Sequence, residues 1–311
     1  MFRLKSSHLD MLIKLNSFKI RNDDIVFFGL RGCLPVDEND YSFTEELLLD
    51  NANINYTNPR CTIIQWRLSE HQAAAFPAST VPHKKYIASS LEKLGQGANQ
   101  LMTGYYCDYR KGKHKAGSAT GHDAFRQTAG RPIRRTADDF DYDNDDRVEF
   151  TNPNDNLHAA WCQSINSDSY ASAGCQVIVG YPKCKSRGSL AATGAWNIFQ
   201  KNAYAVNETS FQYILLNGRD AYKVVQLVGK EVDGRLRFGS NGDKVTELQE
   251  ALKAREFYEG IIDGDFGKRT LNAVMEFQEK IFGPMEDDGI VGPNTADALD
   301  LKLLRITIED R

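Results

Sequence analysis

One histidine and one cysteine in the middle of the chain have the spacing of a base and the nucleophile that it activates. A cysteine attacks as its thiolate, and a histidine within hydrogen-bond reach can take the thiol proton. Cys175 follows His158 by seventeen positions, which is enough chain for two antiparallel strand ends and a joining loop. Ser172 and Gly174 permit a sharp turn that aims backbone N–H groups at a developing oxyanion. Taken alone, the pair fits a buried thiol beside a structural histidine better than it fits a catalytic site.

The residues around this pair resemble the signature of the L,D-transpeptidase (YkuD-like) catalytic domain, in which a histidine precedes a Ser/Thr-His-Gly-Cys motif. The resemblance implies a mainly-β domain in which Cys175 attacks an amide carbonyl of a peptidoglycan stem peptide and His158 is the general base. Backbone N–H groups of Gly174 and Cys175 would form the oxyanion hole, and Ser172 would shape the turn. An amine or water would then resolve the acyl-enzyme.

The chain departs from that signature at several points. The spacing is one residue shorter than the family minimum, Ala173 stands in place of the second histidine, and Gln176 begins a different tail after the cysteine. The second histidine is not the base in the family, so the chemistry can survive its loss, but the choice of acceptor is left open. Transpeptidation, carboxypeptidase trimming and endopeptidase cleavage therefore all remain compatible with the sequence.

Three further residues are predicted to contact the substrate. His114 lies in a basic, glycine-containing segment, Tyr105 follows a glycine in a short aromatic motif, and Gln176 follows the cysteine. The order of these motifs resembles a lysin-like branch of the same family. His122 is interpreted as structural, and Cys162 as part of a packed core.

A duplicated unit lies near the C-terminus. The pattern D-G-x-(F/V)-G-x-x-T-x-x-A-(V/L) begins at Asp263 and again, 25 residues later, at Asp288. Asp-Gly favours a tight turn, and Phe266 or Val291 can then enter a core. Pro293 falls at a first helical position, where its missing N–H is harmless.

Residues 238–301 resemble the type 1 peptidoglycan-binding domain, a three-helix module of bacterial cell-wall enzymes. The match begins at Gly239-Ser240-Asn241-Gly242 and runs through both copies of the repeat. The resemblance implies peptidoglycan as the ligand, with Asp263, Phe266, Asp288 and Val291 as the binding residues. The alternative is a helical bundle that only packs on its neighbour.

The remaining pattern predicts a multidomain chain with a mainly-β, L,D-transpeptidase-like domain followed by a small helical domain. The predicted boundaries are 1–230 for the catalytic domain, 231–237 for a linker, 238–303 for the helical domain and 304–311 for a tail. We expect 110–156 to form extended loops. Strands are predicted at Cys61–Trp66, Gln176–Val179 and Phe211–Leu216, and helices at Tyr86–Leu94 and Ala191–Lys201.

Composition excludes several classes of protein. The chain has 311 residues, 41% of them hydrophobic, and a net charge of −4, which gives no positive field for nucleic acid. Apolar runs such as Ile25–Leu30 are far shorter than the roughly 20 residues that span a bilayer. The six cysteines contain no C-x-x-C pair, and the acidic run 138–146 lacks the EF-hand pattern, although an irregular cation site stays open there. We predict no metal and no cofactor in the active site.

The two resemblances together predict a cysteine enzyme acting on peptidoglycan. The alternative is a non-catalytic wall-binding component of a phage or secretion apparatus. The N-terminus lacks the apolar run of a signal peptide, because Asp10 and Lys14 interrupt it. We therefore expect synthesis in the cytoplasm and delivery to the periplasm or wall by a signal-independent route, with a phage or secretion system as partner.

Overall fold

The computed structural model describes residues 1–136, 139–140, 142–143 and 146–309. In chain order the strands are β1 (Phe2–Lys5), β2 (Val26–Arg31), β3 (Cys33–Pro35), β4 (Glu46–Asn51), β5 (Cys61–Arg67), β6 (Gln72–Ser79), β7 (Asn99–Leu101), β8 (Gly104–His114), β9 (His122–Arg126), β10 (Arg131–Arg135), β11 (Arg147–Thr151), β12 (Leu157–Ala159), β13 (Gln176–Ile178), β14 (Ser210–Asn217), β15 (Glu231–Asp233) and β16 (Arg305–Thr307). The helices are α1 (Ser6–Leu15), α2 (Lys84–Leu94), α3 (Gly194–Ala205), α4 (Gly218–Gln226), α5 (Asp243–Ala254), α6 (Lys268–Phe282) and α7 (Pro293–Ala298).

The N-terminal part is mainly β, as predicted, and its centre is a closed eight-stranded barrel. The strand order is β12-β13-β6-β5-β2-β14-β8-β9. All six residues of strand β2 are buried, which agrees with the apolar run Val26–Leu30 that precedes its last residue, Arg31. Phe27 points into one core and stacks on Phe211 with ring centroids 4.7 Å apart, whereas Phe28 belongs to a second core that includes residues of α1 and α4.

The sequence prediction missed some elements of this part. The buried stripe of α1 consists of Leu9, Leu12 and Ile13. This helix was missed because charged residues lie between the apolar ones. The segment 110–156 was expected to be loops, and this was wrong, since it contains the end of β8 and all of β9, β10 and β11. Strand β10 was not predicted, because its arginines interrupt the apolar pattern that is typical of a buried strand. Arg131 pairs with Asp108, and Arg134 donates to backbone carbonyls, so both buried guanidinium groups have polar partners.

The C-terminal part is helical, as predicted. Val245, Leu248 and Leu252 of α5 are buried on one face, and α7 begins with a proline. The buried face of α6 does not run to the end of the helix. Val274 and Phe277 are buried, but Ile281 is half exposed and Gln278 is buried instead.

Residues of the predicted linker and of the predicted tail pair with each other, β15 with β16. Residues 234–241, which we call the strap, then cross the barrel surface. Within the strap, the Phe238 carbonyl accepts the Tyr105 N–H at 3.0 Å, and the Asn241 N–H donates to the Ser17 carbonyl at 2.8 Å. The helical part is therefore docked on the barrel. None of the helices in the described part of the chain is long and apolar enough to cross a membrane.

Candidate active site

Two parallel strands bring His158 and Cys175 to one end of the barrel. Strands β12 and β13 are parallel neighbours, with His158 opposite Val177. Cys175 directly precedes β13, and the N–H of Gln176 donates to the Asn156 carbonyl at 3.0 Å. The expectation of antiparallel strand ends was wrong, because the chain between the two strands crosses over rather than forming a hairpin.

His158 is oriented as a base. It is 1% exposed, and its Nδ1–H donates to the carbonyl oxygen of Ala159 at 2.8 Å. The lone pair of the neutral ring is therefore on Nε2, which has no hydrogen-bond partner among the described residues. Burial, together with His114 and His122, holds the pKa of His158 well below its usual value, so the ring is neutral at pH 7.

Cys175 is a neutral thiol in the resting site. It is 7% exposed, and burial followed by the nearby Asp155 carboxyl raises its pKa well above the usual value. A ring nitrogen of His158, a ring nitrogen of His114 and Sγ of Cys175 lie within 4.8 Å of one another. A neutral thiol beside a neutral imidazole transfers its proton during attack rather than before it.

Asp155 is a member of the site that the sequence prediction missed. Its Oδ1 lies 4.0 Å from Sγ of Cys175, and Asn99 Nδ2 donates to its other oxygen. Burial raises the pKa of Asp155 to about 7. The polar run Asn154-Asp155-Asn156 just before a buried strand was the available sequence signal.

The turn before Cys175 is shaped by Ser172, as expected, but the N–H of Gly174 is not directed at an oxyanion site. Ser172 Oγ donates to the Cys175 carbonyl at 2.7 Å and accepts the Gly174 N–H at 3.2 Å. Gly174 has φ +136°, and a Cβ there would lie 2.1 Å from Asn99 Nδ2, so only glycine fits. Because its N–H is already bonded to Ser172, Gly174 does not offer the oxyanion-hole donor that was expected of it.

Cys175 lies where two clefts meet. One, of about 380 Å³, is lined by Tyr86, His122 and Trp161. The other, of about 410 Å³, is lined by Lys113, Arg126 and Asn154 among others. The residues that line both clefts are His114, Lys115, Ala173 and Cys175.

Of the three residues predicted to contact the substrate, the structure places one at the clefts. His114 lines both clefts. Tyr105 does not, because its side chain leaves the barrel on the opposite face, packs near Phe18 and donates to Gln212 Oε1 at 2.6 Å. Gln176 is wholly buried and bonded at both ends of its amide, to the Gly174 carbonyl and to the Tyr213 hydroxyl. The prediction of substrate contact by Tyr105 and Gln176 is therefore wrong.

His122 was interpreted as structural, but it belongs to this site. Its Nδ1–H donates to the Thr120 carbonyl at 2.7 Å, which leaves a lone pair on Nε2. That nitrogen lies 3.4 Å from Nδ1 of His158. The ring therefore supports the orientation of the base, together with the Ala159 carbonyl. Cys162, in contrast, is buried in the barrel core, as predicted.

The trio His114, His158 and Cys175 has the donor types and spacing of a metal site. The hydrogen bonds of His114 oppose that use. Its Nδ1 accepts the side-chain N–H of Asn156 at 3.0 Å, so its other nitrogen carries the proton and has no lone pair for a metal. The hydrogen bonds of the trio therefore fit acid–base chemistry better than metal binding. In the acidic run, Asp138, Asp141 and Asp145 lie outside the described residues, so the structure does not test the cation site considered there.

Each copy of the C-terminal repeat is organised by a buried glutamine. Gln249 Nε2 donates to Asp263 Oδ1, to the Asp265 carbonyl and to Thr270 Oγ1, at 2.8, 3.1 and 3.1 Å. Gln278 repeats these bonds with Asp288 Oδ1, the Ile290 carbonyl and Thr295 Oγ1, at 2.9, 2.9 and 3.1 Å. The structure thus gives Asp263 and Asp288 a turn-forming role, while leaving both residues exposed.

The apolar residue of each repeat lies in the core of the helical domain. Phe266 and Val291 are 1% and 0% exposed. Side chains buried to this degree shape the domain and do not touch a polymer at its surface, so the prediction that they contact peptidoglycan is corrected.

Comparison with known proteins identifies this helical unit. Residues 241–299 match the family described as a putative peptidoglycan binding domain. A type 1 peptidoglycan-binding domain is present. No solved structure matches the chain.

Several curated cell-wall proteins share a stretch of similar length. The chain is 45% identical over 64 residues to a spore cortex-lytic enzyme of Bacillus subtilis, covering 21% of each chain. It is 45% identical over 58 residues to the N-acetylmuramoyl-L-alanine amidase CwlM of Mycobacterium tuberculosis, covering 19% of this chain and 14% of that protein. The chain thus spans about a fifth or less of these relatives, and the barrel lies outside the matched family.

Proposed function

We propose that the barrel is a cysteine acyltransferase or peptidase of the L,D-transpeptidase type, acting on peptidoglycan stem peptides. The observation that carries the proposal is the line from the Ala159 carbonyl through His158 to Cys175, at the meeting point of two clefts. A nucleophile, its base and a group that orients the base form the working unit of covalent acyl transfer. The attached peptidoglycan-binding domain supports the choice of polymer.

The proposed reaction uses the resting neutral pair. The thiol proton of Cys175 moves to Nε2 of His158 while sulfur bonds to the amide carbonyl carbon and an electron pair moves onto oxygen. When the intermediate collapses, the C–N bond breaks and the imidazolium returns its proton to the departing amine. An incoming amine or water gives a proton to His158, attacks the thioester carbonyl and releases the cysteine, which regains its proton.

The two clefts support a reaction with two substrates. One cleft can hold the acyl donor up to the scissile carbonyl, and the other can admit the amine or water that resolves the thioester. Ala173 is exposed between them, where a histidine would narrow the passage. The delivery of the protein to the wall, by a phage or a secretion system, stays a prediction.

The test is digestion of purified sacculi of several wall chemistries, with muropeptides identified by mass spectrometry. We expect new stem-peptide products or cross-links from the native protein and none from Cys175→Ala. Cys162→Ala is the matched control, because that buried thiol lies outside both clefts, and it should retain the product pattern. If native protein and Cys175→Ala bind sacculi but leave the same profile on every wall, the chain is a non-catalytic wall-binding protein.

A further inference from the structure

Two residues, Gln127 and Asn156, fix which nitrogen of His114 carries the proton. The backbone N–H of Gln127 donates to Asn156 Oδ1 at 3.1 Å, which sets the orientation of the amide. The Asn156 Nδ2–H then donates to His114 Nδ1 at 3.0 Å. A nitrogen that accepts a hydrogen bond holds a lone pair, so the proton of the neutral ring is on Nε2.

His114 stays neutral at working pH. Burial, followed by the neighbouring His122 and Lys115, lowers its pKa to about 4. The ring is therefore a hydrogen-bond donor at Nε2 that neither loses its proton nor gains a second one between pH 5 and 8. Its role is the reverse of that of His158, whose Nε2 holds a lone pair.

His114 lies where a hydrogen-bond donor to an acyl oxygen on Cys175 would be required. Its ring stacks on that of His158 with centroids 4.1 Å apart, and one of its nitrogens lies within 4.8 Å of Sγ of Cys175. Because Nδ1 faces Asn156, we take Nε2 as the nitrogen directed at Cys175, within reach of an acyl oxygen there. The backbone N–H of Gly174 is already bonded to Ser172 Oγ, so of the two expected oxyanion-hole donors only the Cys175 N–H remains, and a second donor is needed.

We propose that His114 is a catalytic hydrogen-bond donor, which uses Nε2–H to stabilise the oxyanion formed when Cys175 attacks, and that Asn156 keeps it in that tautomer. This inference rests on the proposed function and assigns a role within it. A fixed donor aimed at developing charge strengthens binding of the transition state more than binding of the substrate. The effect is therefore expected in kcat.

The sharpest test is Asn156→Asp, which keeps the shape of the side chain and reverses the tautomer. One aspartate oxygen can still accept the Gln127 N–H, and the other now favours a proton on His114 Nδ1, which in the neutral ring removes it from Nε2. We expect kcat on muropeptides to fall about 10²–10³-fold with KM nearly unchanged. Nitrogen NMR of the labelled full chain should show the Nε2–H tautomer of His114 in the native protein and the Nδ1–H tautomer in the variant.

A second pair of variants keeps the test independent of folding at Asn156. His114→Gln retains an N–H close to the Nε2 position and should keep activity within about tenfold, whereas His114→Met removes the donor and should match Asn156→Asp. Native kcat in Asn156→Asp or in His114→Met, or a proton on Nδ1 in the native protein, would overturn the inference. Absence of any Cys175-dependent product from the native protein would instead overturn the proposed function, and the tautomer would still be readable by NMR.

Discussion

At the scale of single residues, the site is distinguished by how completely its titratable groups are buried. Cys175, His158 and Asp155 are all withdrawn from water, and in each the burial favours the uncharged form. The resting site therefore holds no thiolate–imidazolium pair. A substrate that excludes the remaining water would meet a neutral nucleophile whose base is already oriented.

This burial predicts the pH dependence of thiol alkylation. Because the pKa of Cys175 is raised, its thiolate fraction at pH 7 is below that of an ordinary cysteine, so iodoacetamide should react slowly and the rate should climb through pH 9 without a plateau. Exposed Cys107 serves as the internal reference thiol. The measurement is the time course of modification of each cysteine-containing peptide by mass spectrometry.

The carboxyl of Asp155 should slow the alkylation of Cys175 above neutral pH. With a pKa of about 7, it becomes negatively charged as the pH rises above neutrality and then opposes the thiolate 4.0 Å away. Asp155→Asn removes that charge, so alkylation of Cys175 should become several-fold faster above pH 7 and stay nearly the same below pH 6. Equal rates for native protein and variant over the whole range would contradict this role.

At the scale of elements, the helical domain is stabilised by two equivalent polar networks. Gln249 of α5 and Gln278 of α6 each connect their helix to the aspartate turn of one repeat and to the helix that follows it. Both amides and their threonine partners, Thr270 and Thr295, are buried, so these groups have no water to replace a lost bond. The repeat thus duplicates a hydrogen-bonding network as well as a sequence motif.

Substitution of either glutamine should destabilise the domain. Gln249→Leu and Gln278→Leu each leave several buried groups unpaired, and each should lower the free energy of unfolding by about 2–4 kcal/mol. Lys253→Leu, on the exposed face of α5, should change it by less than about 0.5 kcal/mol. Urea titration followed by circular dichroism measures all three, and glutamine variants as stable as Lys253→Leu would refute the polar-network explanation.

At the scale of the whole molecule, the wall-binding domain is a docked part of the structure rather than a freely tethered one. Gly239 of the strap approaches the barrel so closely that a Cβ there would lie 2.6 Å from the Tyr105 carbonyl oxygen. Ser240 Oγ also donates to the Asn16 carbonyl at 2.6 Å. The peptidoglycan-binding domain therefore has a set position relative to the barrel.

Gly239→Ala should loosen this docking. Its backbone has φ +90°, and Gly242→Ala is the matched control because φ is +113° there but nothing lies within 4 Å of the added Cβ. Both variants carry conformational strain of about 1–2 kcal/mol, and Gly239→Ala should lose at least about 1 kcal/mol more through the clash. Hydrogen exchange should report faster opening of 234–241 in Gly239→Ala alone. Equal exchange in the two variants would show that the contact does not hold the strap.

The sequence by itself determined those features that depend on local pattern. The resemblance of a short motif to a known signature singled out His158 and Cys175, the repeat identified the helical domain, and Pro293 located the start of α7. A helical stripe, a tight turn and a short motif are each encoded within a few neighbouring positions, so they can be read without knowledge of the rest of the chain. Their chemical roles in the barrel stay predictions.

Only the tertiary structure decided how the site works. Asp155 and His122 join it because parallel pairing of β12 with β13 and the position of β9 bring distant segments together. The protonated nitrogen of His114 depends on two hydrogen bonds that link it to Asn156 and Gln127. Burial and long-range hydrogen bonds set charge state, tautomer and donor availability. These properties arise from neighbours in space, which spacing along the chain does not specify.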